Sequence, residues 1–304
     1  MDGIFNVNKP KGLTSHDVVS VVRRLARGAR VGHAGTLDPL ATGVLLICVG
    51  KGTRVVEYLM DSRKEYCAEI VLGATTDTYD AEGRVMKTAP GVSVSRKELQ
   101  RALASFKGMI WQTPPKYSAI KLQGKPLYKL ARAGIEVEPS PRQVEIHRIK
   151  LVAWESPVAV VDVECSKGTY IRSLAHDLGE RLGCGAYLNN LVRLASGRFT
   201  IDDAVPLDQM KMALVEGYWD ALIHPVDDAL VDFSAVVLGP ESERAVLNGL
   251  SWTPRSWRLA KRVSTATHGL CRAYSASHGQ MVAVLKLDES AKVWRPDKVF
   301  GQGV

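Results

Sequence analysis

The stretch Gly32-His33-Ala34-Gly35-Thr36-Leu37-Asp38-Pro39-Leu40-Ala41-Thr42-Gly43 leaves the chain around it little freedom. It sets three glycines about a single carboxylate, Asp38, and runs directly into Val44-Leu45-Leu46-Ile47-Cys48-Val49. That apolar run reads as a buried strand anchoring the loop before it. Glycine lets backbone approach a ligand and take positive φ. Pro39 biases Asp38 toward extended backbone, so a stiff main chain presents its side chain. A lone acid fixed between a loop and a rigid strand suits nucleophilic or acid/base work. The plainer reading is an Asx-type turn in which Asp38 bonds only its own backbone, and turns are what Asp-Pro usually marks. The loop does not have the GxxxxGK[ST] pattern of a phosphate cradle.

At 304 residues, one large domain and a small one fit the length. The net charge of +8 points to an anionic partner, and nucleic acid is the commonest. Cys48, Cys67, Cys165, Cys184 and Cys271 form no CxxC pair and no tight cluster with histidine. That argues against zinc and against a disulfide framework, and for a reducing compartment. Residues Met1 to Lys11 lack a long apolar core, so no signal peptide is expected. No apolar run approaches the roughly 20 residues a membrane span needs. A cytoplasmic chain with no membrane contact is expected.

Asn8-Lys9-Pro10-Lys11-Gly12-Leu13-Thr14-Ser15 is a polar turn, and Ser15 is expected to cap a helix striped with Val18, Val22 and Leu25. Arg23, Arg24, Arg27 and Arg30 form a basic face that either is simply solvated or meets RNA. Residues 65–72 alternate, with Tyr66, Ala68, Ile70 and Leu72 on the apolar side of a strand. Core packing is the default for such a tyrosine, although its hydroxyl wants a partner. Thr76-Asp77-Thr78-Tyr79-Asp80-Ala81-Glu82-Gly83 reads as a polar turn, and Ser95-Arg96-Lys97-Glu98 as a capping box. Residues 112–142 carry prolines, lysines and arginines with Tyr117 and Tyr128 among them. Such a stretch can grip phosphates and stack on bases, or be an ordinary surface insertion. A short helix from Pro126 to Ala133 fits within it.

Strands are expected at about 143–154 and 157–165. Ser166-Lys167-Gly168-Thr169-Tyr170-Ile171-Arg172 then turns into a helix striped with Ile171, Leu174, Ala175, Leu178 and Leu182 and stopped by Gly183. Arg172 falls in its first turn, where the helix dipole disfavours a cation by about 0.3–1 kcal/mol. An arginine there makes most sense facing an anion. Leu188, Leu191, Val192 and Ala195 have helical spacing and predict a helix over about 186–195. A linker is expected over about 201–235. From about 236 the chain looks like a separate module: a helix from Pro240 to Gly249, strands near 270–276 and 281–287, and a last run Val293–Phe300 that could close a small barrel. Strands and helices mix without βαβ alternation, which predicts an α+β fold on a mostly antiparallel central sheet.

Four segments together resemble the TruB-type family of bacterial tRNA pseudouridine-55 synthases. They are Asn8 through Ser15, Gly32 through Gly43, Lys64-Glu65-Tyr66 through Gly83, and Ser166 through Arg172. The likeness runs over roughly residues 3–200. It implies a pseudouridine-synthase-like catalytic domain over 1–230, with the basic insertion at 112–142, and a PUA-like RNA-binding barrel over 236–304. It implies isomerisation of a T-loop uridine of tRNA, with no metal, no organic cofactor and no obligate protein partner; a monomer is expected. Asp38 matches the family's catalytic aspartate, Tyr66 the tyrosine that stacks on the target base and is proposed to accept a proton, and Arg172 the arginine paired with the aspartate. Among substrate-binding positions, Leu191 matches a leucine beside the base, and His33 a histidine that helps hold loop nucleotides open. Lys9 with Pro10 matches a supporting motif, and Tyr170 falls in the segment that carries Arg172. Tyr79 stands where a glycine is frequent, and Leu191-Val192-Arg193 replaces a commoner Leu-Arg-Arg.

That reaction cleaves the N1–C1′ bond, turns the uracil and rejoins it through C5, so the detached base must be kept in a closed, dry pocket. Asp38 must be ionised; burial raises its pKa and a nearby guanidinium opposes that. Two other classes compete. A non-catalytic RNA-binding or tRNA-folding protein suits the basic patches but not a carboxylate set among them. A glycoside or nucleoside hydrolase needs a second, paired carboxylate, and the Asp38 loop holds none.

Overall fold

The computed structural model describes residues 1–117, 121–122, 125–126, 139–254 and 269–301. In chain order its main elements begin with β1 (Gly3–Lys9), α1 (Ser15–Leu25), β2 (Val31–Ala34), β3 (Thr42–Val49), α2 (Val56–Asp61) and β4 (Lys64–Leu72). Next come β5 (Ala74–Thr76), β6 (Val85–Thr88), α3 (Arg96–Ala104), β7 (Gly108–Gln112), β8 (Lys121–Leu122), β9 (Lys125–Pro126), β10 (Arg142–Glu155), β11 (Val158–Cys165) and α4 (Ile171–Leu182). The remainder is β12 (Ala186–Ser196), β13 (Phe199–Thr200), β14 (Val205–Pro206), α5 (Leu207–Glu216), β15 (Ile223–His224), β16 (Ser234–Leu238), α6 (Pro240–Leu247), β17 (Leu270–Ser275), β18 (Met281–Asp288) and β19 (Val293–Val299). Pro126, where a helix to Ala133 is predicted to begin, belongs to β9, and the rest of that predicted helix, Tyr128 with it, lies outside the described residues.

One mixed sheet organises the chain in the order β14-β1-β3-β12-β4-β11-β10-β7, with β13, β15 and β2 joined at its side. Most pairings are antiparallel; β1 with β14 and β12 with β3 are parallel. The fold is α+β, as expected. β3 explains its own unbroken apolar sequence. Leu45, Ile47 and Val49 point into the core under the helices, with Val18, Val22, Leu174 and Leu178. Val44, Leu46 and Cys48 point to the other face, where Val284 and Phe300 of the tail cover them. A strand buried on both sides has no reason to alternate.

The chain from 186 to 196 is a strand, β12, not the helix its spacing predicts. Two register shifts, between Leu188 and Asn190 and between Arg193 and Ala195, interrupt its pairing with β4. Each adds a residue to one face, so buried positions fall at 186, 188, 191, 193 and 196. Steps of two and three imitate a helical stripe. The cap of α1 is also corrected: Thr14, not Ser15, accepts from the Asp17 backbone, and the Asp17 side chain answers in a capping box. The stretch expected as a linker holds α5, whose Leu207, Met210, Ala213 and Leu214 are buried. The tail forms a four-stranded sheet, β16-β17-β18-β19, and no strand pairing closes it into a barrel among the described residues.

Candidate active site

The Asp38 loop, between β2 and β3, is held from beneath at nearly every residue. Arg193 of β12 donates to the carbonyls of Gly35 at 3.0 Å, Thr36 at 3.5 Å and Val44 at 2.6 Å. The Ser15 hydroxyl accepts from the Leu37 amide at 2.8 Å and donates to the Leu37 carbonyl. The Pro39 carbonyl accepts from the Gly12 amide at 2.8 Å. Two glycines make this possible. Gly43 has φ +97°, and a Cβ there would lie 2.3 Å from the Arg193 carbonyl; at Gly35, φ +84°, it would press on the guanidinium. The loop can therefore hold Asp38 still without the acid bonding its own side chain to the turn.

Arg172 comes from α4, as its place in the first turn suggested. Gln112 of β7 fixes the start of that helix by bonding both the amide and the carbonyl of Tyr170. The guanidinium is 95 % removed from solvent and reaches two carboxylates. Nη2 donates to Asp38 Oδ1 at 3.1 Å, and Nε lies 2.9 Å from Oδ2. Nη1 donates to Asp80 Oδ2 at 3.4 Å and to the Thr78 carbonyl. Nη2 also donates to the Tyr117 carbonyl at 3.0 Å, fastening the entry to the basic insertion. The dipole penalty for a cation at this helix end is offset by two acids.

Above the pair opens a cavity of about 620 Å³, walled by Leu37, Asp38, Tyr66, Tyr170, Arg172, Leu191 and Arg193 and rimmed by Met60, Arg142 and Lys167. Asp38, Tyr66, Arg172, Leu191 and Tyr170 are thus brought together. The remaining two candidates stand back from its walls. Lys9 is fully buried, and its Nζ donates to the carbonyls of Pro10, Leu13 and Pro39. It braces the loop from behind and has no surface to offer a ligand, a correction to its place among the substrate-binding candidates. His33 sits half-buried on β2; burial and the charge of Arg193 push its pKa down.

Burial pushes the Asp38 carboxyl above the ordinary aspartate value; Arg172 pulls it back and Asp80 adds to the rise. Burial likewise raises the Tyr66 hydroxyl, and Arg193 beside it opposes the rise. Two contributors escaped the sequence reading. Asp80 looked like any acid of a polar turn. Arg193 is 1 % exposed, yet its position in a supposed helix hid its inward direction. Asp80 itself does not line the cavity and its side chain is 4 % exposed. It cannot serve as the second, water-facing carboxylate of a hydrolase.

The turn before Asp80 is strained. Tyr79 has φ +64°, costing a non-glycine residue about 1–2 kcal/mol. Its ring stacks on His176 of α4, centroids 3.9 Å apart and planes 9° from parallel. Such stacking returns about 0.5–1.5 kcal/mol, which offsets part of that cost.

By fold, the chain aligns with a chain of the crystal structure of a Cbf5-Nop10-Gar1 complex, with a TM-score of 0.72 and 25% identity over 98% of this chain and 85% of that one. Residues 23–171 match the TruB family pseudouridylate synthase N terminal domain, and residues 172–231 match the tRNA pseudouridylate synthase B C-terminal domain. A tRNA pseudouridine synthase B of Dehalococcoides mccartyi is 44% identical over 99% of this chain and 97% of its own length. One from Clostridium kluyveri is 47% identical over 86% of this chain and 89% of its own. The chain belongs to the TruB family of pseudouridylate synthases.

Proposed function

We propose that this protein isomerises a uridine of tRNA to pseudouridine, that the target is position 55 in the T loop, and that Asp38 is the acting carboxylate. The observation that carries the reading is the ionic pair of Asp38 and Arg172 at the floor of a cavity walled by Tyr66 and Leu191. The similarity to proteins named tRNA pseudouridine synthase B over nearly the whole chain supports the reaction and its tRNA substrate.

The chemistry follows from the walls. A uridine leaving its stack costs a few kcal/mol; the Tyr66 ring and the Leu191 side chain give its base an apolar, aromatic seat in return. Ionised Asp38 adds to the base or the sugar, or stabilises an oxocarbenium-like C1′, as the N1–C1′ bond breaks. Arg172 keeps it ionised and aimed. The uracil turns in place, C5 bonds to C1′ as any bond to Asp38 breaks and releases its carboxylate, and the C5 proton is lost while N1 ends protonated, so mass is unchanged. For Tyr66 to take the C5 proton, its own hydroxyl proton must pass on toward N1, and Arg193, which opposes the rise of its pKa, favours that loss. Exposed cations at Arg24, Arg142 and Lys167 supply phosphate contacts around the mouth and along α1.

A T-loop RNA incubated with the protein separates the readings. An isomerase leaves the mass unchanged and creates a carbodiimide-reactive site at one uridine. Release of free uracil would make the protein a hydrolase, and RNA that is bound but unaltered would make it a binding protein.

A further inference from the structure

We propose that the stacked pair of Tyr79 and His176 is a positioning device for the Asp38–Arg172 pair, so that these two residues help set the rate of isomerisation. The inference rests on the reading that this pair carries the chemistry. Arg172 and His176 are one turn apart on the same face of α4, and Tyr79 is the immediate neighbour of Asp80. One helix face therefore grips two successive residues of one turn: Arg172 holds Asp80 by its carboxylate, and His176 holds Tyr79 by its ring. The opposite side of the turn is sewn to β12, where the Tyr79 carbonyl accepts from the Leu188 amide at 3.0 Å and the Ala81 amide donates to the Leu188 carbonyl at 2.9 Å. The stack closes the gap between helix and strand at the residue that fixes where Asp80 stands.

Three features point to a built contact. Tyr79 adopts a backbone conformation that glycine would take without strain, so the ring is kept at a local cost. The rings are nearly parallel at van der Waals separation. The Nδ1 atom of His176 is buried with no hydrogen-bond partner among the described residues, and the Tyr79 stack is the contact its ring face makes. The charged groups nearest the stack are Asp177 and Glu180 of α4; those facing Asp38 are Arg172, Asp80 and Lys9. Without the stack, Asp80 loses its fixed place and Arg172 shifts relative to Asp38. Both charges that act on the Asp38 carboxyl, Arg172 pulling its pKa down and Asp80 pushing it up, then change place.

The test is single-turnover pseudouridine formation by the full chain, with tRNA dissociation constants, melting temperatures and the acid limb of the rate against pH. Tyr79→Gly relaxes the backbone, so the variant folds. It should react about tenfold to a hundredfold more slowly, bind tRNA with unchanged affinity, and show a displaced acid limb, because the two charges that set the Asp38 carboxyl, Arg172 and Asp80, both move. His176→Ala should do the same, and the double variant should be no slower than the slower single one. Tyr79→Phe and His176→Phe, which keep two stacked rings, should restore the rate and the limb. Wild-type rates in Tyr79→Gly and His176→Ala overturn the proposal. So does a Tyr79→Phe variant as slow as Tyr79→Gly, or a loss of rate with no movement of the acid limb. In each case the wild-type chain makes pseudouridine and the reading of the active site stands; a wild-type chain that makes none overturns both.

Discussion

Asp38 shows how much of a site one residue can hold without contacting much itself. Its neighbours do the work: Arg193 and Ser15 fix the loop, and Arg172 supplies the charge. The guanidinium spans two carboxylates and two carbonyls, which a lysine ammonium cannot reproduce. Arg172→Lys should lower the rate at saturating tRNA by about a hundredfold or more, measured by single turnover; turnover near wild type would mean the pair is dispensable. The direction of the Asp38 shift fixes a second expectation. Its pKa is raised, and on the proposed mechanism the ionised form acts, so activity should be lost as pH falls through a value above that of an ordinary aspartate. An acid limb at or below the ordinary value, in kcat/KM against pH, would contradict the burial. Asp38, Tyr66 and Arg172, which meet at the cavity, sit in segments with a family pattern, whereas Leu191 lies outside those segments and is matched as a single position. Asp80 and Arg193 were not legible in the sequence: nothing local tells a turn aspartate from one that holds an arginine, or an inward arginine from a solvated one.

At the scale of elements, what could be read depended on whether local pattern and tertiary setting agree. β4 alternates strictly because one face meets the helices, and it was legible residue by residue. α4 announces both ends, with its apolar stripe and a left-handed Gly183. β12 misleads because two bulges turn a period of two into steps of two and three, and bulges leave no signature of their own. Those bulges matter, since they lie on either side of Leu191 and Arg193 and help set which way the strand presents them. The parallel junction of β12 with β3 passes through Gly43. Gly43→Ala would strain the backbone and drive a Cβ into the Arg193 carbonyl. We expect a cost of a few kcal/mol, or a fall in melting temperature of roughly 5 °C or more. An unchanged melting temperature would show that the two strands part without penalty.

The tail, expected from sequence as a separate RNA-binding unit from about residue 236, shares a core with the large sheet. Val284 and Phe300 pack with Ile4, Val44 and Leu46, Lys298 pairs with Glu57 at 2.7 Å, and the Tyr58 hydroxyl bonds Asp297. Deleting residues 236–304 should therefore do two things: weaken tRNA binding, and lower the melting temperature of what remains by exposing the outer face of β3. A truncated chain that melts like the whole one would return the tail to the status of an independent module. At no scale does the account survive without the central carboxylate, so the most direct measurement is position-resolved mapping of pseudouridine in tRNA treated with the whole chain or with Asp38→Asn, alongside tRNA binding. The account predicts one T-loop pseudouridine with the wild type, none with Asp38→Asn, and nearly equal affinity for both. Pseudouridine made by Asp38→Asn, or binding lost along with activity, would contradict it.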